Sequence, residues 1–429
     1  MAETLTMILA GGKGTRLYPL CNNRAKPAMP FGGRYRVIDL VLSNFTNSGF
    51  YKIKVLTQFM SNVLSRHISL GWRLASQLEH YVDVLQPRMR DGEDWYLGTA
   101  DAIYQNIDII ESENPDYVFI FGADHIYKMD VRQMLNYHIE KRADLTISAV
   151  PVPLHQAREM GVIETDPLGR IRGFAEKPEH PNPMPGNGDM ALVSMGNYIF
   201  SKKALLDVLN RDHYSENSAH DFGKNIIPTM IGEYSTYAYD FMINQWPGME
   251  EKERGYWRDI GTIDAYWEAN MDLCSVTPKL NLYNQRWPVR TVPHHYPPSK
   301  FVFANEREHR VGRATDSLVS EGCIISGGSV DRSVLSPGVR VNSFARVTDS
   351  VLMDNVEVGR HCMIKKAIID KDICVPPHTV IGYDPERDKK HYCVTESGIV
   401  IVSKQIKIEV TDSKIAIVPM NERKATAST

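Results

Sequence analysis

Short apolar runs alternate with helix-like stretches along the N-terminal part of the chain. Four runs predict buried strands, at residues 6–10, 52–58, 117–124 and 145–152. Between the second and third runs, residues 98–112 carry apolar side chains at helical spacing. Alternating strands and helices predict a largely parallel sheet flanked by helices. In such sheets ligands bind beyond the carboxyl ends of the strands, so we expect the functional residues there.

A proline-rich passage, residues 286–302, separates this part from the rest of the chain. It contains four prolines: Pro288, Pro293, Pro297 and Pro298. Because proline lacks the backbone donor that helices and central strands need, neither element is expected there. We interpret the passage as a connection between two domains.

Beyond this passage the apolar positions recur every six residues. The four predicted inward rows are Leu318, Ile324 and Val330; Leu335, Val341 and Val347; Leu352, Val358 and Ile364; and Met363, Ile369, Val375 and Ile381. A longer echo of 17 residues relates SVL at 333–335 to SVL at 350–352 and AII at 367–369. Ordinary strands alternate with a period of two, so this rhythm predicts a parallel β-helix. Residues 398–410 then alternate apolar and polar side chains, which predicts an edge strand or cap.

Composition and charge exclude several classes of protein. The 429 residues, 43% hydrophobic and 24% charged, are typical of a globular chain with two cores. A net charge of −3 gives no reason to expect nucleic acid as a partner. None of the six cysteines forms a CxxC pair, so we expect reduced thiols and a cytoplasmic protein. We expect neither a signal peptide nor a membrane span.

The first predicted strand leads into a glycine loop. Its members are Gly11, Gly12, Gly14, Thr15 and Arg16. The loop matches neither the P-loop nor the dinucleotide pattern, because Leu17 stands where the third glycine of GxGxxG belongs. Glycines still let backbone amides approach anionic oxygens, and an arginine adds a two-pronged donor for phosphate. Alone, such a loop is more often a tight structural turn, but Lys26 in the following proline-punctuated loop favours a phosphate site.

Eight segments together resemble the sugar-nucleotide pyrophosphorylases. They are AGGKGTRL (10–17), RAKPA (24–28), WYLGTADAIYQN (95–106), GADHIYKMD (122–130), FAEKP (174–178), SMGNYIF (194–200), HDFGKNIIP (220–228) and YWRDIGT (256–262). Their order is similar to that of the bacterial glucose-1-phosphate adenylyltransferase family within the sugar nucleotidyltransferases. With the patterns above, the resemblance implies an α/β fold with a Rossmann-like, mixed, mostly parallel sheet, then a left-handed parallel β-helix. The expected domains are a nucleotidyltransferase domain (1–285), a linker (286–312) and a β-helix domain with a C-terminal cap (313–429).

The resemblance implies transfer of the adenylyl group of ATP to α-D-glucose 1-phosphate, assisted by Mg²⁺, as the activated-glucose step of glycogen synthesis. The implied catalytic residues are Arg16, Lys26 and Asp124, and the implied metal ligands are Asp124 and Asp259. The implied glucose 1-phosphate residues are Tyr96, Gly161, Glu176, Lys177 and Ser194. The implied nucleotide-binding residues are Gly11, Gly12, Gly14, Thr15 and Gly98. Without the resemblance, the two aspartates could equally be helix N-caps, and the cations solvated surface charges.

Three departures from the family concern regulation. Asn23, Pro30 and Ser112 stand where enteric relatives carry lysine, histidine and arginine, whereas Arg36 is kept as a tentative allosteric residue. Loss of these cations weakens sites for phosphorylated effectors, so we expect a different choice of sugar-phosphate or other metabolite effectors. The family also implies a homotetramer, with no nucleic-acid or membrane partner.

Three rival interpretations stay open from the sequence. Another sugar nucleotidyltransferase would use UTP, dTTP or GTP in place of ATP. An acyltransferase would place its active site on the β-helix, although His361 and His378 lack an obvious partner there. A non-catalytic regulatory homologue would have lost catalytic positions. Here those positions are intact: Arg16, Lys26, Asp124, Lys177 and Asp259.

Overall fold

The computed structural model describes residues 2–12, 14–88, 95–404, 406–411 and 414–419. The chain forms two compact units. The first unit consists of Met1–Lys13, Ile38–Trp257 and Leu282–Arg290, and the second of Gly14–Val37, Arg258–Asn281 and Thr291–Thr429. The predicted domain boundaries at residues 285 and 312 assume that each domain is one continuous stretch, and they stay a prediction. The two units are instead each built from three separate segments of the chain.

The elements up to the proline-rich passage follow the predicted alternation. The strands are β1 (Thr4–Leu9), β2 (Pro30–Phe31), β3 (Tyr35–Arg36), β4 (Lys52–Leu56), β5 (Tyr81–Leu85), β6 (Tyr117–Gly122), β7 (His125–Tyr127), β8 (Leu145–Pro153), β9 (Gly161–Thr165), β10 (Ile171–Glu176), β11 (Met190–Ser201), β12 (Thr236–Asp240) and β13 (Trp257–Asp259). The α-helices are α1 (Val37–Asn47), α2 (Ser61–Gly71), α3 (Thr99–Tyr104), α4 (Ile107–Glu113), α5 (Val131–Glu140), α6 (Lys202–His213), α7 (Ile227–Met230) and α8 (Ile263–Asp272). A π-helix, Phe222–Ile226, precedes α7.

A nine-stranded mixed sheet organises the first unit. Its main path runs β10-β9-β11-β6-β1-β4-β5, and β8 pairs with both β11 and β12. The neighbours β6, β1, β4 and β5 are parallel, while β11 runs antiparallel to β6, β8 and β9. The predicted mixed, mostly parallel sheet is therefore confirmed, with the antiparallel pairing concentrated around β11. Strands buried on both faces explain the continuous apolar runs in the sequence.

The predicted helix over 98–112 is interrupted in the structure. It forms as α3 and α4, with Gln105 and Asn106 between them. The Asn106 side chain donates one hydrogen bond to the Ala102 carbonyl oxygen and another to the Tyr96 hydroxyl. Because an asparagine side chain offers the backbone an alternative partner, it competes with the helical ladder at this point. The apolar periodicity continues across the break, so the sequence pattern alone does not reveal it.

The second unit contains the repeat region. The proline-rich passage ends in an edge strand, β14 (Lys300–Val302). The strands that follow are β15 (Ala304–Asn305), β16 (Arg310–Val311), β17 (Arg313–Thr315), β18 (Leu318–Val319), β19 (Ile324–Ser326), β20 (Ser329–Asp331), β21 (Val334–Leu335), β22 (Arg340–Val341), β23 (Arg346–Thr348), β24 (Val351–Leu352), β25 (Glu357–Val358), β26 (Met363–Lys365), β27 (Ala367–Ile369), β28 (Cys374–Val375) and β29 (Val380–Ile381). They are followed by α9 (Pro385–His391), β30 (Cys393–Val394), β31 (Val400–Val402), β32 (Ile406–Thr411) and β33 (Lys414–Pro419). The segment 398–410, predicted as an edge strand or cap, thus contains β31 and most of β32.

Three sheets form the faces of a β-helix, and their strands are parallel except for β30, which pairs antiparallel with β31. Their strand orders are β14-β19-β22-β25-β28, β17-β20-β23-β26-β29 and β18-β21-β24-β27-β31-β30. Val330 pairs with Val347, Leu335 with Leu352 and Val341 with Val358, so the 17-residue echo of the sequence is one coil. Several corner residues at this spacing, such as Arg332, Asp349 and Lys366, have positive φ angles that let each coil turn.

Most predicted inward positions are buried, but three are wrong. Val341, Val358 and Ile364 are fully buried in the β-helix core. Leu318 and Ile324 are only half-buried, and Met363 is exposed. Ile325 and Ile364, the residues next to Ile324 and Met363, fill the core instead. Because neighbouring side chains of a strand point to opposite faces, only one residue of each adjacent aliphatic pair can point inward.

Within the described part of the chain, every helix falls short of the length and apolarity needed to cross a bilayer.

Candidate functional site

The glycine loop and Asp124 follow neighbouring strands of the first unit. β1 and β6 are parallel, with Leu9 opposite Gly122, and the Ala123 amide donates to the Leu9 carbonyl oxygen at 3.2 Å. Gly11 and Asp124 therefore leave the sheet at one edge, where ligands of such sheets bind. The Asp124 side chain is 41% exposed, and its Oδ1 lies 3.4 Å from His125 Nδ1. A partly solvated carboxylate therefore lies at this edge of the sheet.

Gly11 lies close to the segment that carries Tyr96. A Cβ atom added at Gly11 would lie 3.0 Å from the Gln58 Cβ, so little room exists for a side chain. Gln58 Nε2 donates to the Tyr96 carbonyl oxygen at 3.1 Å. The Tyr96 hydroxyl accepts a 3.0 Å hydrogen bond from Asn106, and burial raises the pKa of this phenol. Gln58 thus links the predicted nucleotide loop to a residue predicted for the sugar.

Gly98 is enclosed by the backbone of residues 219 and 220. An added Cβ would lie 2.2 Å from the His220 carbonyl oxygen and 2.4 Å from that of Ala219. The same His220 oxygen accepts hydrogen bonds from the amides of Ala100, at 2.8 Å, and Asp101, at 3.3 Å. Only glycine permits this close approach, so packing alone already requires Gly98.

Three residues predicted for glucose 1-phosphate lie at the start of β9 and at or just after the end of β10. Gly161 pairs with Glu176, and a Cβ at Gly161 would lie 2.5 Å from the Phe174 ring and 3.0 Å from Glu176 Oε2. Lys177 follows Glu176 with φ +49°, and its amide donates to the Met160 carbonyl oxygen. Its Nζ is 4.0 Å from Glu176 Oε1. The two side chains thus present a carboxylate and an ammonium group side by side.

Burial and neighbouring charges set the ionisation of this cluster. Burial, helped by the charge of Asp221, raises the pKa of Glu176, and Lys177 and Lys224 oppose this rise. The Tyr198 hydroxyl lies near Ser194, the remaining predicted sugar residue, and burial raises the Tyr198 pKa. Ser194 Oγ also accepts a hydrogen bond from the Gly196 amide. A partly buried carboxylate beside hydroxyl groups suits hydrogen bonding to a polyol.

Asp221, Gly223 and Tyr198 belong to this cluster, but sequence reasoning assigned them no role. A Cβ at Gly223 would lie 2.5 Å from Glu176 Oε2, and Asp221 accepts a 3.0 Å hydrogen bond from Thr99. The signal was present in the motifs HDFGKNIIP and SMGNYIF, which contain all three residues. The sequence does not show that these residues lie close to Glu176, because 45 positions separate Glu176 from Asp221 in the chain.

Arg16, Lys26 and Asp259 come together in the second unit. Lys26 Nζ lies 2.8 Å from Asp259 Oδ1, with side-chain exposures of 8% and 27%. A Cβ at Gly261 would lie 2.8 Å from Asp259 Oδ2 and 3.1 Å from Arg16 Nη2. Two predicted phosphate-binding cations therefore flank a predicted metal ligand.

Gly14 and Thr15 stand at the start of this arrangement. Gly14 has φ +61°, and Thr15 begins a short 3-10 helix, Thr15–Leu17. A Cβ at Gly14 would lie 3.2 Å from Cys21 Sγ and 3.4 Å from Lys26 Cβ. Both the backbone angle and the space therefore favour glycine next to Lys26. Burial raises the Cys21 pKa to about 11, against the opposing effect of Arg24 and Lys26.

The predicted allosteric residue Arg36 pairs with the β-helix. Arg36 Nη2 lies 2.6 Å from Asp354 Oδ2. Nearby in sequence, Arg24 Nη2 lies 2.5 Å from Asp370 Oδ1, and both side chains are almost fully buried. These two ion pairs tie the segment that carries Lys26 to the coils of the repeat. The effector role of Arg36 stays a prediction.

Comparison with known proteins agrees with the motifs. A family model described as Nucleotidyl transferase matches residues 5–276. A second, described as GlmU-like, C-terminal hexapeptide, matches residues 297–402. The hexapeptide match confirms the predicted repeat and is consistent with the left-handed class of parallel β-helix.

Several relatives match almost the whole chain. A glucose-1-phosphate adenylyltransferase of Anaeromyxobacter sp. (strain Fw109-5) is 56% identical over 95% of this chain and 100% of its own length. Proteins with the same name from Methylococcus capsulatus and Koribacter versatilis are 50% and 48% identical, over 94% and 95% of this chain. They are covered over 93% and 97% of their own lengths. The resemblance read from the eight segments is therefore confirmed.

Proposed function

Because this chain belongs to the nucleotidyl transferase family and, within it, to the glucose-1-phosphate adenylyltransferases, we propose that it makes ADP-glucose. It transfers the adenylyl group of ATP to α-D-glucose 1-phosphate and releases pyrophosphate. The product is the activated glucose of glycogen and other α-glucan synthesis. The observation that carries the proposal is 56% identity to a protein of that name along almost the whole length of both chains.

The chemistry explains which residue types the protein needs. The phosphate of glucose 1-phosphate is largely a dianion at neutral pH, because its second pKa is about 6. It can attack the α-phosphorus of ATP in line without a protein base. The barrier lies in bringing two polyanions together and in stabilising the charge of the transition state. Cationic side chains and backbone amides supply this stabilisation.

On the nucleotide side, we assign ATP binding to glycine-rich backbone and to two cations. The backbone residues assigned to ATP are Gly11, Gly12, Gly14, Thr15 and Gly98. Arg16 and Lys26 would bind the triphosphate and the reacting α-phosphate. Lys26 supports this role because a buried ammonium group, held by Asp259 at 2.8 Å, is already oriented before phosphate binds.

On the sugar side, we assign glucose 1-phosphate to the cluster around Glu176. Glu176 would accept hydrogen bonds from the sugar hydroxyls, and Lys177 would bind the phosphate. Gly161 leaves room for the carboxylate, while Ser194 and Tyr96 complete the predicted set. The half-buried carboxylate beside an exposed ammonium group, 4.0 Å apart, supports this division of roles.

Nucleotidyl transferases of this family use a divalent metal, and we propose Mg²⁺ with Asp124 and Asp259 as its ligands. Both carboxylates are partly exposed and offer the hard oxygen donors that Mg²⁺ prefers. When bound, the metal neutralises charge on the phosphates. His125 is not assigned as a ligand, because imidazole is a poorer donor for Mg²⁺.

We further propose a homotetramer in the cytoplasm, regulated by sugar phosphates or other metabolites with Arg36 taking part. The six cysteines, all unpaired in the structure, support a reducing compartment. The absence of three family cations supports an effector choice that differs from the enteric one. A tenfold activation by micromolar fructose 1,6-bisphosphate would contradict that choice.

The test of the proposed function is a pyrophosphate-release assay with glucose 1-phosphate and each of ATP, UTP, dTTP and GTP. We expect ATP to be preferred and ADP-glucose to be the product. Equal use of the four nucleotides, or a preference for another one, would sink the proposal. Turnover of acetyl-CoA by the same preparation would favour the acyltransferase alternative.

Asp124→Asn gives a sharper test of the assigned site. The amide keeps the size of the side chain but removes the charge that a metal needs, so turnover should fall by at least about a hundredfold. Circular dichroism and the melting temperature should stay close to those of the unaltered protein. Near-normal turnover of this variant would refute the role of Asp124.

A further inference from the structure

One segment, residues 218–224, contacts both the nucleotide side and the sugar side of the first unit. Towards the nucleotide side, the His220 carbonyl oxygen accepts the amides of Ala100 and Asp101 at the start of α3. The same oxygen lies against Gly98, where an added Cβ would be only 2.2 Å away. The segment therefore sets where Gly98 and the first turn of α3 lie.

Towards the sugar side, the segment lies against Glu176. Asp221 Oδ1 accepts the amides of Gly223 and Lys224, at 2.9 and 3.0 Å, and so caps the π-helix Phe222–Ile226. This cap brings the Gly223 backbone so close that an added Cβ would lie 2.5 Å from Glu176 Oε2. Asp221 Oδ2 accepts the Thr99 hydroxyl, which in turn accepts the Phe222 amide. The two sides are thus joined by a short chain of direct contacts.

A carboxylate on α6 holds the turn of this segment. Asp212 Oδ2 lies 2.8 Å from His220 Nδ1, and Asp212 Oδ1 accepts the Ser218 hydroxyl at 2.6 Å. The Ser218 oxygen also accepts the His220 amide at 2.9 Å. His220 has φ +50°, an unfavourable backbone angle that needs such support. The side chains of His220 and Asp212 are only 15% and 11% exposed.

We propose that Asp212 and His220 are positioning residues, which keep Gly98 and Glu176 in one fixed geometry. The two substrates are then bound in the relative position that the reaction needs. The proposal rests on the proposed function and deepens it. Neither residue needs to touch a substrate. They act through the backbone of 218–224, and a displacement of about 1 Å at a reacting centre is enough to slow a reaction about a hundredfold.

The test compares three variants of the full-length protein. Asp212→Ala removes the acceptor of both His220 and Ser218 and leaves residue 220 itself unchanged. His220→Asn keeps a donor near the Nδ1 position and tolerates the positive φ angle. Asp207→Ala is the matched control, because Asp207 lies on the same helix but pairs with Arg211 at the surface. The readouts are kcat, the KM for each substrate, and hydrogen exchange of the α3 peptide 99–104.

For Asp212→Ala we expect KM to rise at least about tenfold for both ATP and glucose 1-phosphate, with a lower kcat. The amides of Ala100 and Asp101 should exchange faster, whereas His220→Asn and Asp207→Ala should stay within about threefold of the unaltered protein. A lower melting temperature with unchanged KM values would overturn the proposal, and so would a rise for one substrate alone. Failure of the unaltered protein to form ADP-glucose would instead refute the proposed function, and the exchange data would still test the positioning role.

Discussion

The glycines of the candidate site differ in how much space surrounds them. At Gly98 and Gly161, an added Cβ would lie within 2.5 Å of the His220 carbonyl oxygen and of the Phe174 ring, respectively. At Gly12, by contrast, none of the described residues lies within 4 Å of an added Cβ. Packing thus explains the first two glycines but not the third. For Gly12 the predicted role, in which phosphate comes close to the backbone, stays a prediction.

Substitution of Gly12 by alanine should therefore separate binding from folding. We expect Gly12→Ala to melt within about 2 °C of the unaltered protein, because none of the described residues lies close to the added methyl. Its KM for ATP should rise by about tenfold or more, since the methyl would occupy the space predicted for the phosphates. Steady-state kinetics with varied ATP and a thermal melt check both halves.

Gly98→Ala is the matched comparison for that experiment. Its methyl would collide with backbone oxygens that cannot rotate away, so we expect a loss of stability of about 2 kcal/mol or more. Urea unfolding measures this difference. If the Gly12 variant also unfolded early, or bound ATP normally, the ligand explanation of Gly12 would be wrong.

His138 is a buried residue that makes stability depend on pH. It is fully buried, its Nδ1 lies 2.8 Å from Thr146 Oγ1, and burial lowers its pKa to about 4, against the opposing charge of Asp144. In the unfolded chain the pKa is about 6.5. The folded state therefore binds fewer protons than the unfolded state between these two values, and protonation favours unfolding.

The contribution of neutral His138 to the free energy of unfolding is present in full above about pH 6.5 and is lost as the pH falls towards 4. Between pH 6 and 5 it should lower the free energy of unfolding by about 1 kcal/mol. His138→Gln should remove this part of the pH dependence, whatever it does to stability at pH 7. Urea unfolding at several pH values checks the slope, with the exposed His155→Gln as control. Equal slopes for the His138 variant and the unaltered protein would contradict the prediction.

At the scale of the elements, the six-residue rhythm predicted the β-helix but not the whole of its register. The rhythm fixes one inward residue per face, yet Ile324 and Ile325, or Met363 and Ile364, offer two aliphatic candidates in adjacent positions. The structure places Ile325 and Ile364 in the core and leaves Met363 exposed. A shift of one residue moves a side chain from the core to the outer face of the strand. When both neighbours are aliphatic, residue type alone does not show which of them points inward.

The pair Met363 and Ile364 gives a direct test of this register. Ile364→Ala should lower the free energy of unfolding by about 2–5 kcal/mol, because it leaves a cavity between coils. Met363→Ala should change it by no more than about 0.5 kcal/mol, because its side chain lies on the outer face. Denaturant unfolding of the two variants decides between the registers. A larger loss at Met363 than at Ile364 would reverse the assignment.

At the scale of the whole molecule, the second unit joins distant parts of the chain. The Tyr266 hydroxyl of α8 donates to the Pro30 carbonyl oxygen at 2.5 Å, and the Gly32 amide donates to Asn270 Oδ1 at 3.0 Å. Arg24 and Arg36 pair with Asp370 and Asp354 of the repeat. The segment Gly14–Val37, with its predicted phosphate-binding residues, therefore rests on α8 and on the β-helix.

The sequence predicted the two kinds of architecture, which the fold confirms, and its resemblance to a family supplied a set of site residues that stays a prediction. It did not predict which segments pack together. In the sequence nothing distinguishes Arg24 or Asp370 from other charged residues. Only the fold shows that they form a buried ion pair, although 346 positions separate them along the chain. Contacts at such separations leave no periodic pattern in one sequence. The ion pair that joins the segment carrying Lys26 to the repeat is therefore visible only in the structure.

The buried pair of Arg24 and Asp370 allows this support to be measured. Asp370→Ala leaves the Arg24 charge buried without that partner, so the free energy of unfolding should fall by about 3–5 kcal/mol. The KM for ATP should rise as well, because Lys26 is two positions from Arg24. The double variant Arg24→Met, Asp370→Leu should regain much of the stability, since it removes both charges together. Asp372→Ala, which breaks an exposed pair with Lys404, is the control and should lower stability by less than about 1 kcal/mol. Equal effects of the Asp370 and Asp372 substitutions would show that the β-helix does not hold the segment Gly14–Val37 in place.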